Sequence, residues 1–428
     1  MQADQHSTIL QVCSSERFVA WLVDDHLLIY DKADNKCEWV NALGSMLFLL
    51  LAAKPSSHAR LVDDIYQLAP HLPKDNAHLA LCLAQWQQRG WLQLAADGSF
   101  MLSQDMTGAH SLPRGVMVQL PTAETLAASD KLVQRIWVNL NGQDVIAVSF
   151  YQALQHDQPF QQAFCPEAIP RLLAVLQGVT VAAPAVPVKE KFTLSFVVSE
   201  AQVTIYTQDI SYQITDESYA LSMLATLLLR LSYAEAGMML SAHAAAIGKA
   251  GKQILLPANS GSGKSTLTAT LLVQDWEYYG DDVVALAPLS DNAMQTLPFR
   301  TAVGLKPGAW PLLTALYPIL PSLGVTEYAG KQAKFLPLSQ TASSPWQSGR
   351  IYAVVFPRFS SVSVPCLRPL NLCETIAMFL VSGVSFMQHS TDKTANLTLW
   401  LAWLQQMPCY EMLYNDSDSA RRMLEPLI

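Results

Sequence analysis

The chain carries little charge. Asp, Glu, Lys and Arg make up 14% of its 428 residues, against 51% apolar residues. A disordered chain shows the opposite balance, so this composition calls for packed cores, and the length suits two or three domains. A basic excess is missing too: 27 Lys and Arg face 35 Asp and Glu, for a net charge of −8. That argues against a general nucleic-acid binder, which needs a basic face, while leaving room for a local basic pocket. Paired cysteines are absent. Cys13, Cys37, Cys82, Cys165, Cys366, Cys373 and Cys409 are scattered and odd in number, with no CxxC. Such usage suits reduced thiols in a cytosol and offers no zinc site. Long apolar runs are lacking, since residues 46–53 and 223–229 are too short to span a bilayer. The opening MQADQHSTILQVCSSERF has no basic-then-apolar order of a signal peptide. A soluble, cytoplasmic protein with no membrane and no nucleic-acid partner is expected. Neither HExxH nor GxSxG occurs, and His58 and His389 have no nucleophile at a recognisable spacing. Asn396-Leu397-Thr398 matches a glycosylation triplet, but a cytosolic chain never meets that machinery.

What is present is concentrated around one stretch. Ile254-Leu255-Leu256 is a short apolar run that reads as a buried strand, and Pro257 stops it. Asn259-Ser260-Gly261-Ser262-Gly263-Lys264-Ser265 follows, and residues 266–273 are apolar at helical spacing. Strand, glycine loop and helix form the context in which a phosphate-binding P-loop is credible. Glycines let backbone N–H groups turn around a phosphate, and the helix adds its positive end. Ser260, Gly261, Ser262, Gly263, Lys264, Ser265 and Thr266 are therefore the expected nucleotide-binding residues, with the Ser265 hydroxyl on a magnesium ion. Ala258 departs from the pattern, standing where the first glycine is expected.

Tyr278-Tyr279-Gly280-Asp281-Asp282 arrives directly after the P-loop helix and runs into Val283-Val284-Ala285-Leu286. In ordinary P-loop ATPases the magnesium-binding aspartate comes much later. Neighbouring side chains on extended backbone point to opposite sides, so one carboxylate can face a metal and the other an acceptor hydroxyl. His243 lies on the other flank, shortly before the strand that enters the loop.

His243, the 260–265 loop and Asp281-Asp282, in that order and spacing, resemble the catalytic domain of HPr kinase/phosphorylase. Leu305-Lys306-Pro307-Gly308-Ala309-Trp310-Pro311 and Val354-Val355-Phe356-Pro357-Arg358-Phe359 look like further segments of HPr-kinase-related proteins. The likeness covers much of residues 241–386. It implies an α/β fold of the phosphoenolpyruvate-carboxykinase-like P-loop type, ATP and Mg2+ as cofactors, and phosphorylation of a serine or threonine hydroxyl. It also implies Asp281 as general base, Asp282 with Ser265 as metal ligands, and His243 in support of both. A homo-oligomer is left open. Transferred charge must be neutralised, and Arg300, Lys306, Lys331, Lys334 and Arg358 sit in short loops between apolar runs. Lys306 and Arg358 are the favoured catalytic cations, because both fall within the segments that resemble the family.

Residues 1–104 read as a separate unit. Residues 18–23, 27–30 and 37–40 are expected strands, with Asn41 or Ser45 capping a helix through Leu51. Further helices are expected over 59–68 and 75–89, the last ended by Gly90, before Trp91-Leu92-Gln93-Leu94 returns as a strand. Ribbon, three helices and closing strand make a winged-helix plan. Residues 23–30, Val40-Asn41-Ala42-Leu43 and Arg89-Gly90-Trp91-Leu92 look like the PqqD family, peptide-recognition domains that serve enzymes modifying ribosomally made peptides. That resemblance implies a leader peptide added to the edge of the 18–40 ribbon, and a peptide or small protein as acceptor. Asp24, Asp25, Asp31, Asp34, Asp63 and Asp64 disfavour a DNA-binding winged helix.

Residues 105–190 hold no visible chemistry, and the sequence leaves open whether they add to the catalytic unit or form a spacer. Ile136-Trp137-Val138 and Val145-Ile146-Ala147-Val148 flank Asn141-Gly142, which signals a hairpin. A short helix is expected over 170–177 and a linker over 182–187. The catalytic unit then runs over 191–428, with strands at 192–198 and 203–206 and an apolar helix at 219–231. Three other functions stay open: a nucleotide-gated peptide chaperone without phosphotransfer, a small-molecule kinase acting on free serine or a similar metabolite, and a regulator of a sugar-transport carrier protein.

Overall fold

The computed structural model describes residues 9–24, 26–34, 36–68, 76–104, 131–138, 146–152, 176, 180–181, 193–198, 203–206, 211–214, 224–225, 227–229, 231–233, 237–289, 293–328, 331–337, 348–386 and 393–428. It separates into two compact units. The first comprises residues 1–111, 370–381 and 388–406, and the second residues 112–369, 382–387 and 407–428.

In the first unit β1 (Ile9–Ser14), β2 (Phe18–Val23), β3 (His26–Asp31) and β4 (Lys36–Val40) form an antiparallel sheet in sequence order. Asn41 ends β4 by capping α1 (Ala42–Ala53), its side-chain oxygen accepting from Gly44 N at 3.0 Å. Leu61 and Ile65 on α2 (His58–Leu68) recur at helical spacing and join Leu79, Leu83 and Trp86 of α3 (Asn76–Gln88) in one core. Gly90 follows with φ 70°, a backbone state that suits glycine after a helix. The chain returns as β5 (Leu92–Leu94) paired with β6 (Phe100–Leu102). One buried pair ties these parts together. The Arg17 guanidinium donates to both Asp31 oxygens at 3.0 and 2.8 Å and to the Gly90 carbonyl at 2.7 Å. Its third bond reaches the turn after α3, so the sheet and the helical layer share one polar anchor.

β1 extends the sheet beyond the three strands expected from the sequence, and its pairing with β2 covers the β2 edge of the 18–40 ribbon. The outer edge of β4 ends the sheet on the other side. Two late helices, Leu372–Ser382 and Lys393–Gln406, also fall almost wholly in the first unit, across the boundary at residue 191 drawn from the sequence. There the Cys373 thiol donates to the Val23 carbonyl at 3.4 Å.

The second unit is mixed α/β. A smaller sheet holds β7 (Lys131–Val138), β8 (Ile146–Gln152), β9 (Thr180–Val181), β10 (Thr193–Val198), β11 (Val203–Tyr206) and β12 (Ser211–Ile214), in the order β12-β11-β10-β8-β7-β9. β7 and β8 form the expected antiparallel hairpin arms. The Asn141-Gly142 turn, the 170–177 helix except Leu176, and the 182–187 linker lie outside the described residues. The described residues between 224 and 232 are helical and buried, apart from half-buried Leu231, as their apolar run requires.

The larger sheet has ten strands. In chain order they are β13 (Leu240–Ala242), β14 (Ala244–Lys249), β15 (Lys252–Pro257), β16 (Glu277–Gly280), β17 (Val284–Leu289) and β18 (Ala293–Leu297). After the small sheet of β19 (Val303–Leu305), β20 (Thr326–Tyr328) and β21 (Lys331–Leu336) come β22 (Gly349–Phe359), β23 (Cys366–Pro369), β24 (Val384–Phe386) and β25 (Cys409–Tyr414). The long β22 knits the sheet: it pairs antiparallel with β18 at its start, then parallel with β15 and β25. The helix α4 (Lys264–Leu272) follows β15 and is clamped between two cores. Leu267 and Leu271 enter one with Ile254 and Trp276, while Ala269 and Leu272 enter the other with Tyr278 and Phe299. Each buried leucine contributes about 1.5–3 kcal/mol, so the helix that follows the glycine loop is firmly seated. Among the described residues no helix is long and apolar enough to cross a membrane.

Candidate active site

β15 ends at Pro257, and the loop to α4 turns on two glycines with positive φ, Gly261 at 98° and Gly263 at 91°. A Cβ on Gly263 would also lie 2.4 Å from the Tyr414 hydroxyl and 3.1 Å from Phe359 Cβ, so only glycine fits. Ala258 needs no such freedom. It is not among the residues with positive φ; it is buried, and its N–H donates to the His243 carbonyl at 3.3 Å. The departure from the usual pattern therefore falls at a position without the positive φ that calls for glycine.

The loop opens on a cavity of about 1220 Å³ lined by His243, the 259–267 segment, Asp281, Asp282, Lys306 and Lys331. Apolar residues such as Met238, Phe299, Ala302, Leu312 and Phe335 line the rest. Lys264 and Asp281 face each other inside it, Nζ to Oδ1 3.9 Å, both buried. The ammonium has no hydrogen-bond partner, and the carboxylate meets no donor beyond the Ser265 hydroxyl and the Asp282 N–H. Buried charges without bonds cost several kcal/mol unless something completes them, and phosphate oxygens and a divalent cation are the complements of this pair. Burial raises the Asp281 pKa above the ordinary carboxylate value, and the charge of Asp282 adds to the rise. Lys264 opposes it, as do the Ser265 hydroxyl and the Asp282 N–H.

Asp282 differs from its neighbour. It is a non-glycine residue at φ 70°, a left-handed state that aspartate tolerates better than most. That twist turns its carboxylate outward, 42% exposed against 1% for Asp281. His243 Nε2 lies 3.1 Å from Asp282 Oδ1, and Nδ1 lies 3.0 Å from the Ser382 carbonyl. A carbonyl only accepts, so the contact to Ser382 requires a proton on Nδ1. The backbone holds the ring in place, because His243 N–H donates to the Gly383 carbonyl at 2.8 Å. The sheet explains the meeting. β14 starts at Ala244 beside β15, and β24, which follows Ser382 and Gly383, pairs with β13.

The expected cations divide. Lys306 lines the cavity, and its ammonium donates to Ser260 Oγ; Lys331 does the same at 3.1 Å. Arg358 is exposed on β22 and is not among the residues lining the cavity. Its neighbour Phe359 faces that space, and alternation along the strand turns Arg358 away. Lys334 is buried, its ammonium donating to the carbonyls of Leu320 and Pro321 at 2.9 and 3.0 Å and lying 5.1 Å from the Trp310 ring centre. It braces the fold rather than a ligand. Arg300 lies half-buried outside the lining, and burial lowers its pKa. Sequence reasoning overlooked the platform under Gly263, made by Phe359 and Tyr414, whose rings meet edge-on at 5.5 Å. Phe359 was within reach as part of a family-like segment; Tyr414 carries no local signal at all.

No family model matches the chain, and no curated protein matches it. Among solved structures, the HPr(Ser) kinase/phosphatase from Coxiella burnetii matches at 12% identity, over 44% of this chain and 92% of that one, with a TM-score of 0.22. At that TM-score the likeness carries no argument; the mixed α/β fold with its large mixed sheet is compatible with a P-loop kinase.

Proposed function

We propose that the chain is an ATP-dependent, magnesium-requiring kinase that transfers a phosphoryl group to a serine or threonine hydroxyl. The observation that carries this reading is the buried pair Lys264–Asp281, its ammonium without a hydrogen bond at the mouth of a glycine loop and a helix N-terminus. Lys264 and the loop from Ser260 to Thr266 hold the phosphates. Mg2+, held by Ser265 and Asp282, would neutralise charge on the phosphates. His243 fixes Asp282 through the 3.1 Å contact. Asp281 is the base: burial makes its carboxylate a better proton acceptor, and it faces the ammonium that positions the phosphate. The acceptor hydroxyl then approaches through the cavity; its oxygen bonds to the γ-phosphorus as the bond to the leaving ADP breaks, and its proton passes to an Asp281 carboxylate oxygen. The Ser265 hydroxyl beside Asp281 favours a second reading, in which the two carboxylates exchange roles.

The acceptor in this proposal is a peptide or small protein held by a PqqD-like first unit. Because β1 covers one side of the ribbon, the peptide is assigned to the outer edge of β4. Single turnover with γ-labelled ATP tests the reaction class. Label on an acceptor supports the kinase; ATP bound and released without transfer supports a nucleotide-gated chaperone instead.

A further inference from the structure

Ser260, Lys306 and Lys331 come from three separated segments: the phosphate loop, the residue before the Pro307–Ala309 turn, and the first position of β21. They meet at one atom. Both ammonium groups donate to the Ser260 hydroxyl oxygen, filling its two acceptor positions. That oxygen is neutral, so it aligns the two charges without balancing them. Their repulsion is felt: burial first, then Lys331, draws the Lys306 pKa below the ordinary lysine value, and Lys264 adds to it. Asp282 and Asp281 pull the other way, but each also faces a second partner, His243 and Lys264. Two cations held together at the rim of a cavity are the arrangement expected where a multiply charged anion supplies the missing charge.

We infer that Lys306 and Lys331, aligned by Ser260, form a second anion subsite beside Lys264, built for the terminal phosphate group of a bound nucleoside triphosphate. This rests on the phosphate-loop reading of the site. Lys264 sits on the first turn of α4 and the lysine pair beside the start of the loop, so the three cations flank a chain of phosphates from two ends. A diphosphate engages Lys264 and leaves the pair unused, whereas a triphosphate engages both.

Calorimetric titration of the full chain with AMP, ADP and ATP, each with Mg2+, tests the subsite. Lys331→Met weakens ATP binding by about tenfold or more, the size of a lost charge-assisted bond, while ADP and AMP change little. Lys331→Arg restores most of the ATP affinity, since it keeps the charge. Unaltered ATP binding in Lys331→Met overturns the inference, and so does an equal loss for all three nucleotides, which marks disturbed packing. Unaltered ATP affinity with a raised KM for the acceptor overturns the donor assignment and moves the pair to an anionic group of the acceptor. Failure of the wild-type chain to bind any nucleotide rejects the phosphate-loop reading itself.

Discussion

Two adjacent aspartates with the same side chain have opposite environments here, and the proposed chemistry rests on that contrast. Asp281 is buried against Lys264 and its pKa is raised, whereas Asp282 is turned out by a left-handed backbone and touches His243. Asp281→Asn should abolish transfer with the fold retained, measured by acceptor phosphorylation beside circular dichroism. Asp282→Asn should raise the Mg2+ concentration needed for half-maximal rate. If the metal dependence moves in Asp281→Asn instead, the two carboxylates have exchanged roles. The base must be ionised, so kcat/KM should rise with pH through a value above the ordinary carboxylate range. The stability term has the opposite sign. Between its ordinary and raised pKa the native Asp281 binds more protons than the unfolded one, so its contribution is lost as pH rises through that interval. Asp281→Asn should remove this slope from denaturant stability measured across pH. At the loop, Gly263→Ala meets both a φ of 91° and the Tyr414 hydroxyl, and should cost about 1–3 kcal/mol and most nucleotide affinity. Ala258→Gly should leave nucleotide binding unchanged.

Among the elements, those with local signals were legible in the chain. Asn41 before an apolar run and Gly90 after one marked helix ends that the structure reproduces within a residue or two. The strand-loop-helix around Lys264 was equally clear, because glycine and lysine have positional meaning there. Nonlocal pairings were not legible. β1 lies outside the described plan because a short strand shows little until its partner β2 is known. Arg358 looked catalytic because its segment resembled a family motif, but strand alternation, visible only with Phe359 placed, turns it from the cavity. Lys334 sits in a similarly apolar stretch, and its two carbonyl partners come from residues 320 and 321, which no spacing rule connects to it. Arg17–Asp31 was also hidden, since a buried ion pair looks like surface charge in sequence. Removing one partner leaves the other uncompensated, so Arg17→Ala should cost about 3–5 kcal/mol in thermal or denaturant unfolding of the first unit.

The whole chain is interleaved rather than strung like beads. The helices at residues 372–381 and 393–406 count with the first unit although they follow the catalytic strands in sequence. A truncation that removes residues 1–111 strips these helices of their packing partners, so the fragment 112–428 should bind a hydrophobic dye and aggregate. Peptide recognition is better followed in the intact protein. Hydrogen exchange at Lys36–Val40 should slow when precursor peptide is added, if the peptide joins the outer edge of β4. The charge and composition of the chain could exclude broad classes of function, yet the acceptor itself is written in no motif.

Phosphoryl transfer is the claim on which the rest depends, and intact-mass analysis of acceptors tests it most directly. The purified full chain is incubated with ATP and Mg2+ and with short serine- and threonine-containing precursor peptides, free serine serving as the control. One added phosphate on a peptide, absent with Lys264→Ala and absent on free serine, is the expected result. Phosphorylated free serine would keep the kinase and contradict the peptide acceptor. No transfer to any acceptor, with ATP still bound, would contradict the kinase.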